Sequence, residues 1–268
     1  MTSYMTPNMP VAELVEAWLN DLRVEGRLEA TTINEYERVL RKLVVPVLGD
    51  HRLVELNTER IDAVLADLKA QSVNRQRKAK VITGAMLAAA VAGGAIGSNP
   101  VRGSLSIHRP TTAAKEVTNA DVQRARTAIR AWVAKDRPGP KSSDDLADII
   151  DMMLGTGARI GEVLALRWRD VDLAAAKVRI NATIKTETGK GTYRKTHSSP
   201  RTVELGMFAL DVLRRRQQYG RQNAIEAVFA TRNGTWHQVN NVERRWRQVR
   251  AEAGLDWVTP NDFRSRAL

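Results

Sequence analysis

The sequence predicts a mainly α-helical protein with a small antiparallel β-sheet, divided into a helical N-terminal domain and a larger C-terminal domain. Apolar residues recur at helical spacing from residue 11 to about residue 105, and alternation at 177–205 interrupts the helical pattern of the second half. The segment 108–116 between them has no apolar periodicity and contains a proline. We therefore expect an N-terminal domain at 1–107, a linker at 108–116 and a C-terminal domain at 117–268.

Four segments of the N-terminal domain carry apolar residues three and four positions apart, which is typical of helices that bury one face. Their expected positions are 11–22, 32 to about 46, 58–68 and 73–92. The second is predicted to begin at Thr32, since its hydroxyl can cap a helix that has Glu35 three residues later. The fourth is expected to end at Gly93 and Gly94. Together these segments predict a small helical bundle.

Residues 81–101 carry no charge, so we consider whether this segment could insert into a membrane. Their interior is mostly alanine and glycine, which gives a weak drive for insertion and favours a tightly packed helix without membrane contact. The first ten residues lack a basic start followed by an apolar block, and Glu13 and Glu16 come early. No secretory signal is therefore predicted, and a cytoplasmic protein is expected.

The C-terminal domain is predicted to start with two helices, the first beginning at Asn119 and Asp121 and the second carrying apolar residues at 146–154. Short strands are expected at 177–180, 183–186 and 201–205, with Gly189 and Gly191 in a turn. Helices resume at 207–219 and 239–253.

The chain is strongly basic, because 42 lysines and arginines outnumber 30 acidic residues and give a net charge of +12. This charge predicts that the chain binds a polyanion. Nucleic acid is the leading candidate, and an anionic membrane surface is the alternative. There is no cysteine, which excludes disulfides, thiolate nucleophiles and cysteine-based zinc sites. The four histidines are widely spaced and no glycine-rich phosphate loop is present, so no metal or cofactor is expected.

One segment, 156–172, stands out for its chemistry. Gly157 permits a backbone turn that other residues resist, and Arg159 is then expected in the first turn of a new helix. Glu162 follows three residues later on the same face, close enough to orient the guanidinium. Such a fixed fork of donors suits a phosphodiester, although an ordinary surface ion pair has the same pattern.

This segment resembles the first arginine box of the tyrosine recombinases, the phage integrase family of site-specific DNA recombinases. The positions that match are Thr156, Gly157, Arg159, Glu162, Leu166, Trp168, Asp170 and Asp172. The resemblance implies an N-terminal helical core-binding domain of SAM-like fold, followed by a tyrosine-recombinase catalytic domain.

Two further segments resemble the same family. Residues 195–205 are similar to its lysine hairpin, which implies that Lys195 is the general acid for the leaving 5′ oxygen of DNA. Lys190 competes for this role, because it occupies the same predicted hairpin. Arg264 matches the second arginine box, but Asn261 stands where the family usually has histidine. An amide cannot shuttle a proton, so this departure puts the acid–base chemistry of that position in doubt.

The resemblance also implies a mechanism without ATP or metal, in which tyrosine attacks a DNA phosphodiester. Arg159 and Arg264 would clamp the phosphate, and Glu162 would position Arg159. DNA affinity would come from basic side chains, for which a solvated helix face is the alternative. The residues expected to contact DNA are Arg75, Arg77, Lys78, Lys80, Arg201, Arg244 and Arg245, with Arg247 and Arg250 on the same late helix.

No tyrosine follows Arg264, because the four tyrosines are at positions 4, 36, 193 and 219. Three interpretations follow: a C-terminally truncated recombinase that binds attachment-site DNA without cleaving it, a regulator that occupies recombination sites, or a subunit completed by another subunit's tyrosine. Intact relatives act as tetramers on double-stranded DNA, so other recombinase subunits are expected partners. Truncation would also leave Phe263 partly uncovered, which predicts lowered stability or self-association.

Overall fold

A computed structural model describes residues 5–107, 115–135, 145–187, 191–220 and 222–264, apart from the side chains of residues 197 and 198. The chain forms two compact units, Met1–Thr112 and Ala113–Leu268, each with its own apolar core. The division falls inside the segment predicted as the linker, 108–116, most of which lies outside the described residues.

The N-terminal unit is a bundle of helices, as the apolar periodicity predicts. Its helices are α1 (Val11–Glu25), α2 (Ala30–Val39), α3 (Val45–Leu48), α4 (Thr58–Gln71) and α5 (Val73–Ala92). Leu14, Leu40, Met86 and Leu87 are fully buried where α1, α2 and α5 meet. Because α5 buries its apolar face in this core, the uncharged segment after residue 80 is part of the bundle. None of the helices in the described ranges is long and apolar enough to cross a membrane.

The predicted start of the second helix is wrong by two residues. Glu29 takes the extended cap position, and the N–H of Thr32 already donates to the Glu29 carbonyl at 2.9 Å. Thr32 therefore lies inside the first turn, where its hydroxyl cannot cap. A single π-helical turn at Leu40–Val44 joins α2 to α3, so the helical path passes Pro46 and ends at Gly49.

The C-terminal unit packs helices around a three-stranded antiparallel sheet, which confirms the predicted mainly α fold with a small sheet. Its helices are α6 (Asn119–Ala134), α7 (Asp145–Thr156), α8 (Ile160–Leu164), α9 (Met207–Tyr219), α10 (Val239–Glu252) and α11 (Pro260–Arg264). The strands are β1 (Val171–Asp172), β2 (Lys177–Glu187) and β3 (Gly191–Glu204), hydrogen-bonded in the order β1-β2-β3.

The predicted strands at 177–180 and 183–186 are in fact one strand, β2. Its buried residues alternate without interruption through Val178, Ile180, Ala182 and Ile184, and the small Ala182 made the apolar pattern look broken. The partner strand β3 begins ten residues before the predicted 201, because its polar residues pair through the backbone and leave no apolar signal.

A register shift divides β3 into two parts. Ile180 pairs with Arg201, whereas Ala182 pairs with Thr196, so residues 197–200 form a bulge opposite Asn181. Pro200 is compatible with this position, because a proline that cannot donate to the ladder is tolerated at a bulge. The bulge separates Lys195 and Thr196 from Arg201.

The expectation that Phe263 is partly uncovered is wrong. Phe263 is fully buried, and its ring meets that of Trp246 edge to face with the centroids 5.2 Å apart. The indole N–H of Trp246 donates to the carbonyl of Val258 at 2.9 Å, which fixes the segment leading into α11. Helix α10 therefore covers the ring of Phe263, which was predicted to be partly exposed.

Candidate functional site

The turn between α7 and α8 positions the first arginine box. Gly157 has a left-handed backbone with φ of +62°, and its N–H donates to the carbonyl of Met153 at 3.0 Å, which ends α7. The hydroxyl of Thr156 accepts the N–H of Ala158 at 3.2 Å. The chain therefore reverses within two residues and presents Arg159 at the beginning of α8.

Arg159 lies one residue before α8, not in its first turn as predicted. Its backbone is extended, and its N–H donates to Oε2 of Glu162 at 2.9 Å. The carboxylate of Glu162 thus caps the helix from its third residue. The side chain of Arg159 is 63% exposed, so its guanidinium is presented to solvent while its backbone is fixed.

Glu162 also contacts two guanidinium groups. Nη2 of Arg201 lies 2.7 Å from Oε2, whereas Nη1 of Arg159 lies 3.3 Å from Oε1. Burial by itself raises the pKa of Glu162, but the hydrogen bonds from Arg201 and from the N–H of Arg159, together with both positive charges, bring the pKa below its usual value. Glu162 is therefore an ionised, buried carboxylate, and Arg201 is the closer of these two arginines.

The second arginine box packs against the first. Nε of Arg264 donates to the carbonyl oxygen of Gly157 at 2.8 Å, across 107 residues of sequence. The N–H and the hydroxyl of Thr259 both donate to the carboxylate of Asp262 at the start of the short helix α11, which carries Arg264. Asn261 is on the same helix and is exposed. The structure thus brings Arg264 to the turn that ends in Arg159.

Lys195 is exposed on β3, opposite Thr183 of β2. The sheet approaches α8 closely here, because a Cβ on Gly161 would come within 2.6 Å of the Thr183 hydroxyl oxygen. Lys195 is thus one strand away from the helix that begins after Arg159. Lys190, the competing residue, lies outside the described residues.

The arginines predicted on the late helix, α10, differ in what they contact. Arg250 donates to the carbonyl of Val258 at 2.9 Å and so holds the chain before α11. Arg244 and Arg247 are exposed and Arg245 is half-buried. These three make no hydrogen bond or ion pair with any described part of the chain. They leave positive charge available at this surface.

The basic residues predicted to contact DNA at the start of α5 also differ in whether they bind other groups of the protein. Lys80 donates to the carbonyls of Ser104 and Leu105, at 3.1 and 2.7 Å, and so secures the end of the N-terminal unit. Lys78 pairs with Glu35 at 2.6 Å, and Arg75 donates to a glutamine one turn earlier. Arg77 is exposed and has no hydrogen bond or ion pair within the described ranges.

Sequence reasoning missed the role of Arg194. Its side chain is only 10% exposed, and it donates to the carbonyl of Ala165 at 2.9 Å, to Asp170 at 3.1 Å and to Asn181. Asp170 also accepts the N–H of Arg167. Arg194 therefore connects β3 to the turn after α8. The sequence feature that could have indicated this role is Asp170, a motif residue whose partner is 24 residues away.

Part of the motif is therefore structural. Asp172 accepts the N–H groups of Ala174 and Ala175, which shapes the turn from β1 to β2. As for metal sites, the described residues contain no group of three or more histidine, cysteine or acidic side chains that could hold an ion.

Comparison with known proteins gives a consistent result. The model of the phage integrase family matches residues 118–268, more than half of the chain. Tyrosine recombinase XerC of Serratia marcescens is 26% identical over 261 residues, which cover 94% of this chain and 78% of that protein. Tyrosine recombinase XerC of Yersinia pestis is 24% identical over 253 residues, which cover 91% of this chain and 76% of that protein.

Solved structures share the fold. The Tn1549 transposon integrase in complex with transposon right end DNA has a TM-score of 0.79 at 18% identity, over 96% of this chain and 85% of that chain. A lambda integrase tetramer bound to a Holliday junction has a TM-score of 0.71 at 16% identity. The match covers 96% of this chain and 71% of that chain. The family resemblance that the motifs indicate is thereby confirmed.

Proposed function

The chain belongs to the phage integrase family, and from this membership and the geometry of the site we propose that it binds double-stranded DNA at attachment sites and acts in site-specific recombination. The observation that carries the proposal is the hydrogen bond from Arg264 to the Gly157 carbonyl. It anchors one arginine against the turn that presents the other, although 107 residues separate Arg264 from that turn in sequence.

In this proposal Arg159 and Arg264 hold one phosphodiester of the DNA backbone. Arg159 is fixed through its backbone and exposed at its guanidinium, while Arg264 uses Nε for the protein and has no other hydrogen bond among the described residues. A guanidinium with two free N–H donors matches a pair of phosphate oxygens. Two such groups stabilise the negative charge that develops when the phosphorus is attacked.

The chemistry proposed for the site is transesterification. A tyrosine hydroxyl loses its proton to solvent and attacks phosphorus, the bond to the 5′ oxygen breaks, and a 3′-phosphotyrosyl link forms. Lys195 donates the proton that the leaving 5′ oxygen needs. The 5′ hydroxyl of a partner duplex then reverses these steps. Asn261 can hydrogen-bond the phosphate but cannot transfer a proton as histidine does, a difference that typically costs about 10²- to 10⁴-fold in rate.

The attacking tyrosine is proposed to come from outside the described residues. Tyr36 stacks on Trp18 in the N-terminal unit, with the ring centroids 5.7 Å apart. Tyr193 donates its hydroxyl to Glu187 on the neighbouring strand, and Tyr219 is at the exposed end of α9. A longer form of the chain or a second recombinase subunit would supply the nucleophile.

The remaining affinity is proposed to come from unpaired surface charge. Arg77 of the N-terminal unit, and Arg244 and Arg247 of α10, have no protein partner in the described ranges and are therefore available to phosphates. Lys78 and Lys80, by contrast, already bind protein groups. Because phosphate contacts release counterions, binding should weaken steeply as salt concentration rises.

The test uses a duplex selected from a random library by binding to the wild-type chain. Arg159→Ala should lower affinity by about 10-fold or more, since one charge-assisted contact is lost. Arg214→Ala is the matched control, because it removes an exposed arginine of α9 that only approaches Asp211 at 3.7 Å. Equal losses in both variants, or binding that does not depend on salt, would refute the proposed site.

Strand cleavage is tested with a nicked suicide substrate that traps the covalent intermediate. The chain alone should form no adduct, and adding it to an intact relative that cuts the same duplex should raise the adduct on the relative above the amount that the relative forms by itself. An adduct on this chain alone would show that one of its own tyrosines attacks. Suppression of the relative's adduct would instead favour a regulator that occupies recombination sites.

A further inference from the structure

Two arginines share the buried carboxylate of Glu162, but they share it unequally. Oε2 accepts from Nη2 of Arg201 at 2.7 Å and from the backbone N–H of Arg159 at 2.9 Å. Oε1 is farther from both guanidinium groups, 3.3 Å from Nη1 of Arg159 and 3.4 Å from Nη1 of Arg201. The short side-chain bond therefore belongs to Arg201, and Arg159 is held mainly through its backbone.

The exposures of the three side chains show what would happen without Arg201. Glu162 is 2% exposed, so the loss of a positive charge beside its carboxylate would be costly. Arg159 is 63% exposed and already touches Oε1, so its guanidinium is placed to move into the position that Arg201 vacates. A bidentate pair with Glu162 would then occupy the donors that a phosphate requires.

We infer that Arg201 is a positioning residue, which holds the Glu162 carboxylate and thereby leaves the guanidinium of Arg159 available to DNA phosphate. This role differs from the direct DNA contact that the sequence analysis assigns to Arg201. It links β3, which also carries Lys195, to the arginine box through one ion pair. The inference rests on the proposed function, because it concerns the same phosphate site.

The experiment measures affinity of four proteins for the selected duplex: wild type, Arg201→Ala, Glu162→Gln and the double variant. Arg201→Ala should bind about 10-fold more weakly, because Glu162 captures Arg159. Glu162→Gln is the background in which Arg201 is tested again, since glutamine still accepts the Arg159 N–H but carries no charge to attract its guanidinium. The double variant should bind within about three-fold of Glu162→Gln, because nothing remains to capture Arg159.

A direct contact between Arg201 and DNA gives a different pattern. The double variant would then bind as weakly as Arg201→Ala, and this result would overturn the inference. A loss from Arg201→Ala that is as large in the Glu162→Gln background as in wild type would overturn it too, since the carboxylate would then play no part in the effect. Arg179→Ala, which removes an exposed arginine from β2, gives the loss expected from one positive charge in this sheet.

Two measurements separate positioning from loss of folding. The active fraction of each variant is obtained by titration at DNA concentrations far above the dissociation constant, and affinities are compared per active molecule. The slope of log affinity against log salt should fall by about one contact in Arg201→Ala and return in the double variant. A partly unfolded sample would not change this slope. If Arg201→Ala does not fold, the comparison of the double variant with Glu162→Gln decides the question.

The proposed function and this inference fail in different ways. If wild type does not bind the duplex in a salt-dependent manner, the proposed function fails. If wild type binds but Glu162→Gln does not rescue Arg201→Ala, only the role of Arg201 is wrong.

Discussion

Arg264 and Gly157 are joined by a hydrogen bond of 2.8 Å from Nε to the carbonyl oxygen, and this bond brings the two arginine boxes to one place. The carbonyl is available because Gly157 has a left-handed backbone and ends α7. Arg264 reaches it because Phe263, the residue before it, is anchored in the core. The proposed phosphate site therefore depends on a turn and on an apolar contact at the same time.

Arg264→Ala should lower DNA affinity by about 10- to 100-fold. Arg264→Lys should lower it by nearly as much. A lysine keeps the charge but lacks the planar fork that serves a carbonyl and a phosphate together. Fluorescence anisotropy at fixed salt measures both. Wild-type affinity in the lysine variant would show that charge alone suffices.

Gly157→Ala should reduce the free energy of unfolding by about 1–2 kcal/mol, because an L-residue is strained at φ of +62°. Gly206→Ala is the matched control, since Gly206 has φ of −64° and a Cβ there would meet no atom within 4 Å. Its stability should stay within about 0.5 kcal/mol of wild type. Urea unfolding compares them, and equal effects would remove the special role of the turn.

Gly161→Ala should destabilise the C-terminal unit by about 1–3 kcal/mol, because the new methyl group would lie 2.6 Å from Oγ1 of Thr183. Thr183→Ala removes that atom, so the double variant should regain most of the loss. Thermal unfolding of both single variants and the double variant gives their coupling energy. Strictly additive effects would mean that α8 and β2 adjust without this contact.

Asp121 should make stability depend on pH in the acid range. Hydrogen bonds from the hydroxyl and N–H of Thr118, together with Arg124, lower the pKa of Asp121 from 3.8 to about 2. The folded state therefore binds fewer protons than the unfolded state between these values. Its stabilising contribution is complete above the unfolded pKa and is lost as pH falls through the folded one.

Asp121→Asn is the variant that tests this pH dependence. It should be less stable than wild type near neutral pH, and its free energy of unfolding should change less between about pH 6 and about pH 2.5. Urea unfolding at several pH values measures the difference. Parallel pH profiles for the two proteins would show that Asp121 does not contribute.

Helices that end at a glycine were predictable from sequence. The bounds of α5 and α9 agree with those predicted, because each helix stops at a glycine. The start of α2 was not predictable from Thr32 and Glu35. The capping pattern is local, whereas the helix begins at Ala30 with Glu29 in the extended cap position.

The candidate site was predictable in its residues but not in its contacts. Motif positions identify Arg159 and Arg264, yet spacing cannot show that Arg201 is the shorter partner of Glu162, 39 residues away in sequence. Spacing also cannot separate Arg77, which has no partner among the described residues, from Lys80, which secures two carbonyls. These distinctions depend on tertiary packing, which periodicity does not contain.

The bulge in β3 lets the hairpin change length without changing its pairing. Arg201 is anchored opposite Ile180, and Thr196 is anchored opposite Ala182, so each flank keeps its register independently of the residues between them. Insertions or deletions at 197–200 would alter only the bulge. This segment could therefore be lengthened or shortened while Lys195 stays opposite Thr183 and Arg201 stays opposite Ile180.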